Sequence, residues 1–241
     1  SFMLVIPCHF NFEAYKLIFM EDNIGRAFLL SLFVTIVGTA YSLVLTSLGA
    51  FVLTRRRLVG GKVFFAFVFI PMFFSGGLIP FFLTVKDLGL YDKVWSLFIP
   101  FGINIFNMII LRNFFSQMPA GIEESARMDG ANDFTVFFRF VLPLSKAGLA
   151  TIGLYYLVGY WNDWYWPMIF TGSNLDFTLA YALRDMLAQS TTDTSGSDPS
   201  LLYNQSREAA TVIVALLPIV AIYPFIQKYF VKGVMLGAIK S

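Results

Sequence analysis

The sequence EESARMDGANDFTVFFRFVLP, residues 123–143, gathers charged and amide side chains within a chain that is otherwise largely hydrocarbon. Long apolar runs at 93–115 and 145–170 flank it. An apolar run of about twenty residues is long enough to cross a bilayer as a helix. The polar stretch is therefore predicted to lie at the membrane surface between two spans, as a structured element rather than a plain link.

The first part of this element is predicted to be a short helix. Pro119 suits a first helical turn, and Glu123 and Glu124 lie where acids complement the positive end of the helix dipole. Glu123 and Arg127 have the i,i+4 spacing of a stabilising ion pair. Gly130 follows as a C-terminal stop, because glycine readily adopts the left-handed conformation that ends many helices.

The second part is predicted to be another short helix. Asn132 or Asp133 can cap its amino end, since both side chains accept hydrogen bonds from free backbone N–H groups. Pro143 is expected to interrupt it, because proline lacks an N–H group and clashes with the preceding turn. The helix is rich in phenylalanine, at Phe134, Phe137, Phe138 and Phe140.

Composition places the chain in the membrane. Of its 241 residues 57% are hydrophobic and 13% are charged, against roughly 25% charged in a soluble domain. The net charge of +2 is too small to indicate a nucleic-acid partner. The single Cys and single His, Cys8 and His9, exclude an internal disulfide and argue against a zinc site. No metal ligand set is therefore predicted.

The predicted architecture is an all-α polytopic membrane protein, a single transmembrane domain over residues 1–241. The short apolar segment 1–6 is interpreted as the end of an amino-terminal span. Five complete spans are predicted, with an inner polar loop at 117–144 and an outer polar loop at 171–206; the spans lie at about 26–53, 63–84, 94–115, 145–170 and 208–230.

Small residues and helix breakers mark details of these spans. A stripe of small residues at every fourth position of the first span favours close helix packing over a pore lining. Ser75-Gly76-Gly77 and Pro80 are expected to kink or unwind the second span, and Pro100 and Gly102 to bend the third. The stripe consists of Gly38, Ser42, Thr46, Ala50 and Thr54.

Polar groups within the spans are candidates for a substrate path. Asn104 and Asn107 share one helical face, where amides either bridge helices or line a hydrated path. The aromatic cluster at 155–166 fits a membrane-interface belt, but flat rings beside amide and acid groups also suit sugars. An acid beside an apolar span is costly unless paired or hydrated. The candidates are Asn104, Asn107, Tyr160, Trp161, Asn162 and Asp163.

Charge placement orients the chain. With the loop 117–144 in the cytoplasm, the inner side holds four Lys and Arg residues at 54–62, four at 112–146 and three from 228 onward, 11 of the 17. This excess follows the positive-inside rule. The loop 117–144 and the C-terminus are therefore predicted to be cytoplasmic.

The chain lacks the signals of catalysis. Lys62 follows Gly60-Gly61, but position 56 is Arg and position 63 is Val, so the phosphate-binding loop pattern fails and no nucleotide site is predicted. One His near the amino end supplies no plausible hydrolase base set. A secondary transporter or channel driven by an ion gradient stays open as the alternative, although apart from Asp163 no acid is visible within a span.

The polar stretch resembles a known motif. Glu124-Ser125-Ala126, Gly130 and the run Phe140-x-Leu142-Pro143 are similar to the EAA loop of permease subunits of ABC importers. Ser125 stands where Ala is usual and Phe140 where Ile is usual. The resemblance implies a pair of coupling helices that docks on an ATP-hydrolysing subunit. The implied coupling residues are Glu123, Glu124, Ser125, Ala126, Arg127, Asp129, Gly130, Leu142 and Pro143.

The resemblance extends over most of the chain. The runs FSGGLIP at 74–80, LGLYD at 88–92, VLPLSK at 141–146 and the tail VKGVMLGAIK look like the shorter permease of maltose-type carbohydrate importers. This implies a multi-pass protein of the bacterial inner membrane that imports an oligosaccharide, such as an alginate fragment. Implied partners are a second homologous permease, an ATPase dimer that carries ATP-Mg, an extracytoplasmic solute-binding protein and the lipid bilayer.

Overall fold

The computed structural model describes residues 24–55, 60–173 and 175–192, and six positions within 212–220 (212, 213, 215, 216, 218 and 220). Regular structure in these residues is helical throughout. The predicted end of an amino-terminal span, most of the span at 208–230 and the tail lie outside the described residues.

The longest helix, α1, covers Ile24–Thr54. Among the described residues it is the one unbroken helix long and apolar enough to cross a membrane, at the place where the first span was predicted. Three further helix pairs pass the same test together but are sharply bent, so up to four spans are present if each pair is one span.

The second predicted span is two helices. Helix α2, Gly61–Phe73, and helix α3, Leu78–Asp87, meet at an angle of 111°. The break falls at 74–77, as Ser75-Gly76-Gly77 predicted. Pro80 lies within the first turn of α3, where a missing N–H costs nothing, so this proline does not cause the bend.

The third predicted span is also broken. Its first part consists of two 3₁₀ turns, Val94–Leu97 and Ile99–Phe101, and its second part is helix α4, Ile105–Ser116. The two parts meet at 52°. The bend at Pro100 and Gly102 is thereby confirmed.

Two short helices occupy the polar stretch. Helix α5 is Ala120–Met128, and helix α6, Asp133–Val136, continues as a π-helical turn at Phe137–Val141 and then as α7, Leu142–Leu144.

The predicted interruption at Pro143 is wrong. The Leu142 N–H donates to the Phe137 carbonyl five residues back, and this wider turn makes room for the proline ring. The chain bends after Pro143, at Ser145, where α8, Lys146–Asn162, begins at 82° to the preceding segment.

The carboxyl-terminal part of the described chain is more helical than the sequence prediction. Helix α9, Tyr165–Phe170, follows α8, and helix α10, Leu179–Thr192, lies inside the region predicted as a polar loop. Leu179, Ala182 and Met186 pack in one cluster with Ile24 of α1. The polar residues of α10 concealed this apolar stripe.

The core forms where α1 packs along α8 and α4. The buried face of α1 includes Gly38, Ser42, Thr46 and Ala50, which supports the packing interpretation of the small-residue stripe. A Cβ atom added to Gly38 would lie 3.1 Å from both Phe98 and Tyr160. Small side chains therefore allow these helices to approach closely.

Candidate coupling site

A tight reversal at Gly130 joins α5 to α6. Gly130 has a φ of +83°, the Ala131 N–H donates to the Ala126 carbonyl at 2.9 Å, and the Gly130 N–H donates to the Arg127 carbonyl at 3.0 Å. This pair of bonds is a Schellman motif, which satisfies the last carbonyls of α5. The predicted helix stop at Gly130 is confirmed.

Asn132 caps the second helix. Its Oδ1 accepts hydrogen bonds from the Thr135 backbone N–H at 2.8 Å and from the Thr135 hydroxyl at 2.9 Å. Asp133 is instead the first residue of α6. Of the two predicted alternatives for the cap, Asn132 is the correct one.

Arg127 links the two short helices. Its Nε donates to Glu123 Oε1 at 3.0 Å, which confirms the predicted i,i+4 pair, and its Nη2 donates to Asp133 Oδ1 at 2.5 Å. The hydrogen bonds to Glu123 and then to Asp133 raise the pKa of Arg127 above its ordinary value. Arg127 thus stays charged and connects α5 to α6.

The inner face of this element is anchored in the helix bundle. Ala126, Val136 and Phe137 are buried in the same cluster as Ala50 and Phe51 of α1. The ring centres of Phe51 and Phe137 lie 4.9 Å apart. The element therefore packs on the carboxyl-terminal end of α1, near Thr54.

A second anchor is polar and was not predicted. The Arg55 guanidinium, just beyond α1, pairs with Glu123 Oε1 and lies 3.8 Å from the centre of the Phe51 ring. Arg55 and Glu123 are 68 residues apart in the sequence, so no local spacing indicates the contact. The sequence showed only that Arg55 lies at the end of a span.

The face of the two-helix element 120–144 that points away from the helix bundle is exposed. Glu124, Ser125, Asp129 and Pro143 are accessible to solvent, and Leu142 is half-buried. Large apolar side chains stand beside them: Met128 is 88% exposed and Phe134 71%. A mixed polar and apolar patch of this kind is typical of a protein contact. Two more apolar residues, Phe138 and Leu144, extend it.

The side chain of one candidate asparagine caps a helix. Asn104 is the N-cap of α4, and its Oδ1 accepts from the Asn107 N–H at 3.1 Å. Asn107 is buried, whereas Asn104 is exposed. The i,i+3 spacing thus reflects a helix cap, and only Asn104 presents its side chain to a solvent-accessible surface.

Tyr160 and Trp161 on α8 hold the helices together. The Tyr160 hydroxyl lies 2.8 Å from the Ser42 hydroxyl on α1. Trp161 is 5% exposed, packs against Ile24 and Leu179, and its Nε1 donates to the Ala215 carbonyl at 3.0 Å. Both side chains therefore have structural partners within the described residues.

Asn162 and Asp163 lie where α8 ends. Asp163 Oδ1 accepts from the Tyr165 and Trp166 N–H groups at 3.1 and 3.3 Å, which caps α9. Asn162 is exposed and donates to the Val158 carbonyl at 2.9 Å. The cap explains how an acid is tolerated beside an apolar span.

The remaining tryptophans of the cluster differ in environment. Trp166 packs against Phe101 and Phe170 at centroid distances of 5.0 and 5.5 Å, and the Arg184 guanidinium lies 3.8 Å from the Trp164 ring centre. The aromatic cluster is therefore partly core packing, an outcome that neither the belt nor the sugar interpretation anticipated.

Comparison with a family model matches residues 42–236 to the binding-protein-dependent transport system inner membrane component. The match covers most of the chain, from within α1 through the two short helices α5 and α6 and on past α10.

Curated relatives include transport permeases of Bacillus subtilis. The chain is 43% identical to the polygalacturonan/rhamnogalacturonan transport system permease protein YtcP, over 99% of this chain and 85% of that protein. It is 27% identical to the arabinooligosaccharides transport system permease protein AraQ, over 98% of this chain and 81% of that protein.

A solved structure has the same fold. It is a chain of a bacterial ABC transporter involved in the import of the acidic polysaccharide alginate, with a TM-score of 0.81 and 32% identity. The match covers 93% of this chain and 81% of that one.

Proposed function

The chain belongs to the family of binding-protein-dependent transport system inner membrane components, and from that premise we propose that it is a permease subunit that imports an oligosaccharide at the expense of ATP. The family and the relatives support the resemblance to carbohydrate ABC importers. They give no support to the ion-gradient alternative. The relatives are transport subunits, and ATP hydrolysis is proposed to take place on a partner.

The observation that carries this proposal is the two-sided nature of the element 120–144. Its inner face packs on α1 through Ala126 and Phe137, while its outer face exposes Glu124, Met128 and Phe134. Closure of a docked ATPase displaces an element of this form, and the contacts of its inner face transmit the displacement to the membrane helices. We propose that this face, in the cytoplasm, binds one subunit of an ATPase dimer carrying ATP-Mg.

The remaining partners follow from the family. We propose a second homologous permease beside this chain in the inner membrane and a solute-binding protein on the outer side. The outer segment 171–206, including α10, is proposed to contact the binding protein. The proposed orientation places the amino end of α1 outside and Arg55 inside, in accord with the positive-inside distribution of Lys and Arg.

The proposed substrate is an oligosaccharide derived from a plant or microbial polysaccharide. One relative is named for polygalacturonan and rhamnogalacturonan transport and another for arabinooligosaccharides, and the solved structure is of a transporter for the acidic polysaccharide alginate. Among the candidate path residues, Asn104 and Asn162 are exposed and carry amide groups suited to sugar hydroxyls. We propose these two as the side chains of this subunit that face the path.

Cross-linking tests the docking proposal. Ser125→Cys, in a background where Cys8 is replaced by Ser, places a single thiol on the exposed face of α5. It is expected to cross-link to the ATPase in membranes that contain the whole complex. Asp87→Cys, at the exposed end of α3, is the control and should not react with the ATPase. Equal cross-linking from the two positions would contradict the orientation.

A further inference from the structure

Adjacent acids on α5 point to different environments. Glu124 is exposed, whereas the Glu123 side chain is 28% exposed and faces the helix bundle. The Glu123 carboxylate pairs with two guanidinium groups, those of Arg55 and Arg127. Glu123 thus has its partners within this chain, whereas the Glu124 carboxylate is accessible to solvent.

Arg55 depends on Glu123 for charge compensation. The Arg55 side chain is 18% exposed, and its Nε is buried with no hydrogen-bond partner within the described residues. Its Cζ atom lies 3.8 Å from the centre of the Phe51 ring, within the range of a cation–π contact. Loss of the Glu123 carboxylate would leave a largely buried charge unpaired, which is strongly unfavourable.

The ion pairs form a continuous connection. Arg55 follows the last turn of α1, Glu123 lies on α5, and Arg127 connects α5 to Asp133 at the start of α6. Packing between Phe51 and Phe137 runs beside this connection. One apolar and one ionic contact therefore join α1 to both halves of the two-helix element.

We propose that Arg55 is a positioning residue for energy coupling, which through Glu123 holds α5 in the orientation in which ATPase closure moves α1. This proposal rests on the proposed function of the element 120–144 as the ATPase contact. It assigns separate roles to the two acids: Glu123 transmits displacement within this chain, and Glu124 contributes to docking. Removal of Arg55 leaves the docking face intact but loosens its attachment to α1.

Transport stoichiometry in the complete complex tests the proposal. The whole importer, with both permeases, the ATPase and the binding protein, is reconstituted in proteoliposomes, and ATP hydrolysed is measured per sugar imported. Arg55→Met and Glu123→Gln are each expected to raise this ratio by about 5-fold or more, the effect of losing a typical coupling free energy. The double variant is expected to be no worse than Glu123→Gln alone, because Glu123→Gln already removes the only contact that Arg55→Met removes from this ion pair.

Comparison variants separate coupling from docking. Arg55→Lys keeps the charge and is expected to recover part of the coupling. Glu124→Gln is expected to weaken copurification of the ATPase instead, and Lys86→Gln, an exposed cation on α3, is expected to change neither quantity. An unchanged ratio in an assembled Arg55→Met complex would overturn the proposal, as would additive effects of Arg55→Met and Glu123→Gln.

A reversible cross-link covers the case in which Arg55→Met fails to assemble. Arg55→Cys and Glu123→Cys are combined with Cys8→Ser, and a bifunctional methanethiosulfonate reagent bridges the two thiols. Restored coupling that is lost on reduction supports the proposal, whereas an assembled, bridged complex that stays uncoupled overturns it. Absence of ATP-dependent uptake by the unmodified importer would instead refute the proposed function, so the two failures are distinct.

Discussion

Tyr156 on α8 and Thr46 on α1 share a buried hydrogen bond of 2.6 Å between their hydroxyl groups. The Tyr156 hydroxyl also accepts the Asn104 backbone N–H at 2.9 Å, so one side chain joins α1, α8 and the start of α4. In an apolar surrounding each of these polar groups requires a partner. This junction fixes the three helices at the centre of the described chain.

Removal of the Tyr156 hydroxyl is expected to destabilise the permease. Tyr156→Phe leaves the Thr46 hydroxyl and the Asn104 N–H without this partner, at an expected cost of about 1–3 kcal/mol in the free energy of unfolding. Denaturant unfolding in mild detergent measures it. Tyr155→Phe is the matched control, because Tyr155 is 48% exposed on the same helix, and no change is expected. Equal loss in both variants would count against the junction.

Helix α8 contains a matched pair of glycines. A Cβ added to Gly148 would lie 2.6 Å from the Phe114 ring, whereas one added to Gly159 meets nothing within 4 Å. Gly148→Ala is expected to destabilise the permease by about 1–3 kcal/mol through overpacking. Gly159→Ala is expected to be neutral or stabilising by up to about 1 kcal/mol. The same unfolding assay measures both, and the reverse order would contradict the packing of α8 on α4.

The reversal at Gly130 depends on backbone conformation alone. A Cβ at this position would meet nothing within 4 Å, but the φ of +83° disfavours branched residues. Gly130→Val is expected to cost about 1–2 kcal/mol and to raise the ATP hydrolysed per sugar imported. Gly130→Asn, which tolerates the left-handed region, is expected to retain coupling. Full coupling in Gly130→Val would show that the reversal need not be rigid.

The Asp92 carboxylate holds the segment that follows α9 through two hydrogen bonds. Its Oδ1 accepts from the Gly172 N–H at 2.7 Å and from the Leu175 N–H at 3.1 Å, and its own φ is +57°. Asp92→Ala is expected to speed hydrogen exchange at these two amides by about tenfold or more, as expected for loss of bonds to a charged acceptor. Asp92→Asn keeps an oxygen acceptor and tolerates the backbone, so its effect is expected to be small. Unchanged exchange in Asp92→Ala would contradict this role.

Local sequence rules predicted the features that depend on local contacts. The stop at Gly130, the cap at Asn132 and the Glu123–Arg127 pair each involve residues a few positions apart, whose spacing fixes their geometry. The breaks at 74–77 and near Pro100 also follow from local backbone preferences. Together these features outline the two-helix element 120–144 and its neighbours before any tertiary contact is known.

Contacts between distant residues were beyond such rules. The pairing of Arg55 with Glu123 and of Thr46 with Tyr156 requires that α1 pack along the later helices, which no spacing reveals. Asn104 and Asn107 were interpreted as two residues on one helical face. A helix cap and the N–H group that it binds have the same i,i+3 spacing, so the sequence does not distinguish the two arrangements. The helix at 179–192 was missed because its polar residues outweigh a narrow apolar stripe.

The most direct test of the account is sugar uptake by the complete importer in proteoliposomes. The probe is a short oligogalacturonate presented with the cognate binding protein, since YtcP, the 43% identical relative, is named for polygalacturonan transport. A neutral arabino-oligosaccharide is tested in parallel. The account predicts uptake of one of these probes that requires ATP and stops when the ATPase is replaced by a catalytically inactive variant. Uptake that persists with the inactive ATPase would contradict the central claim.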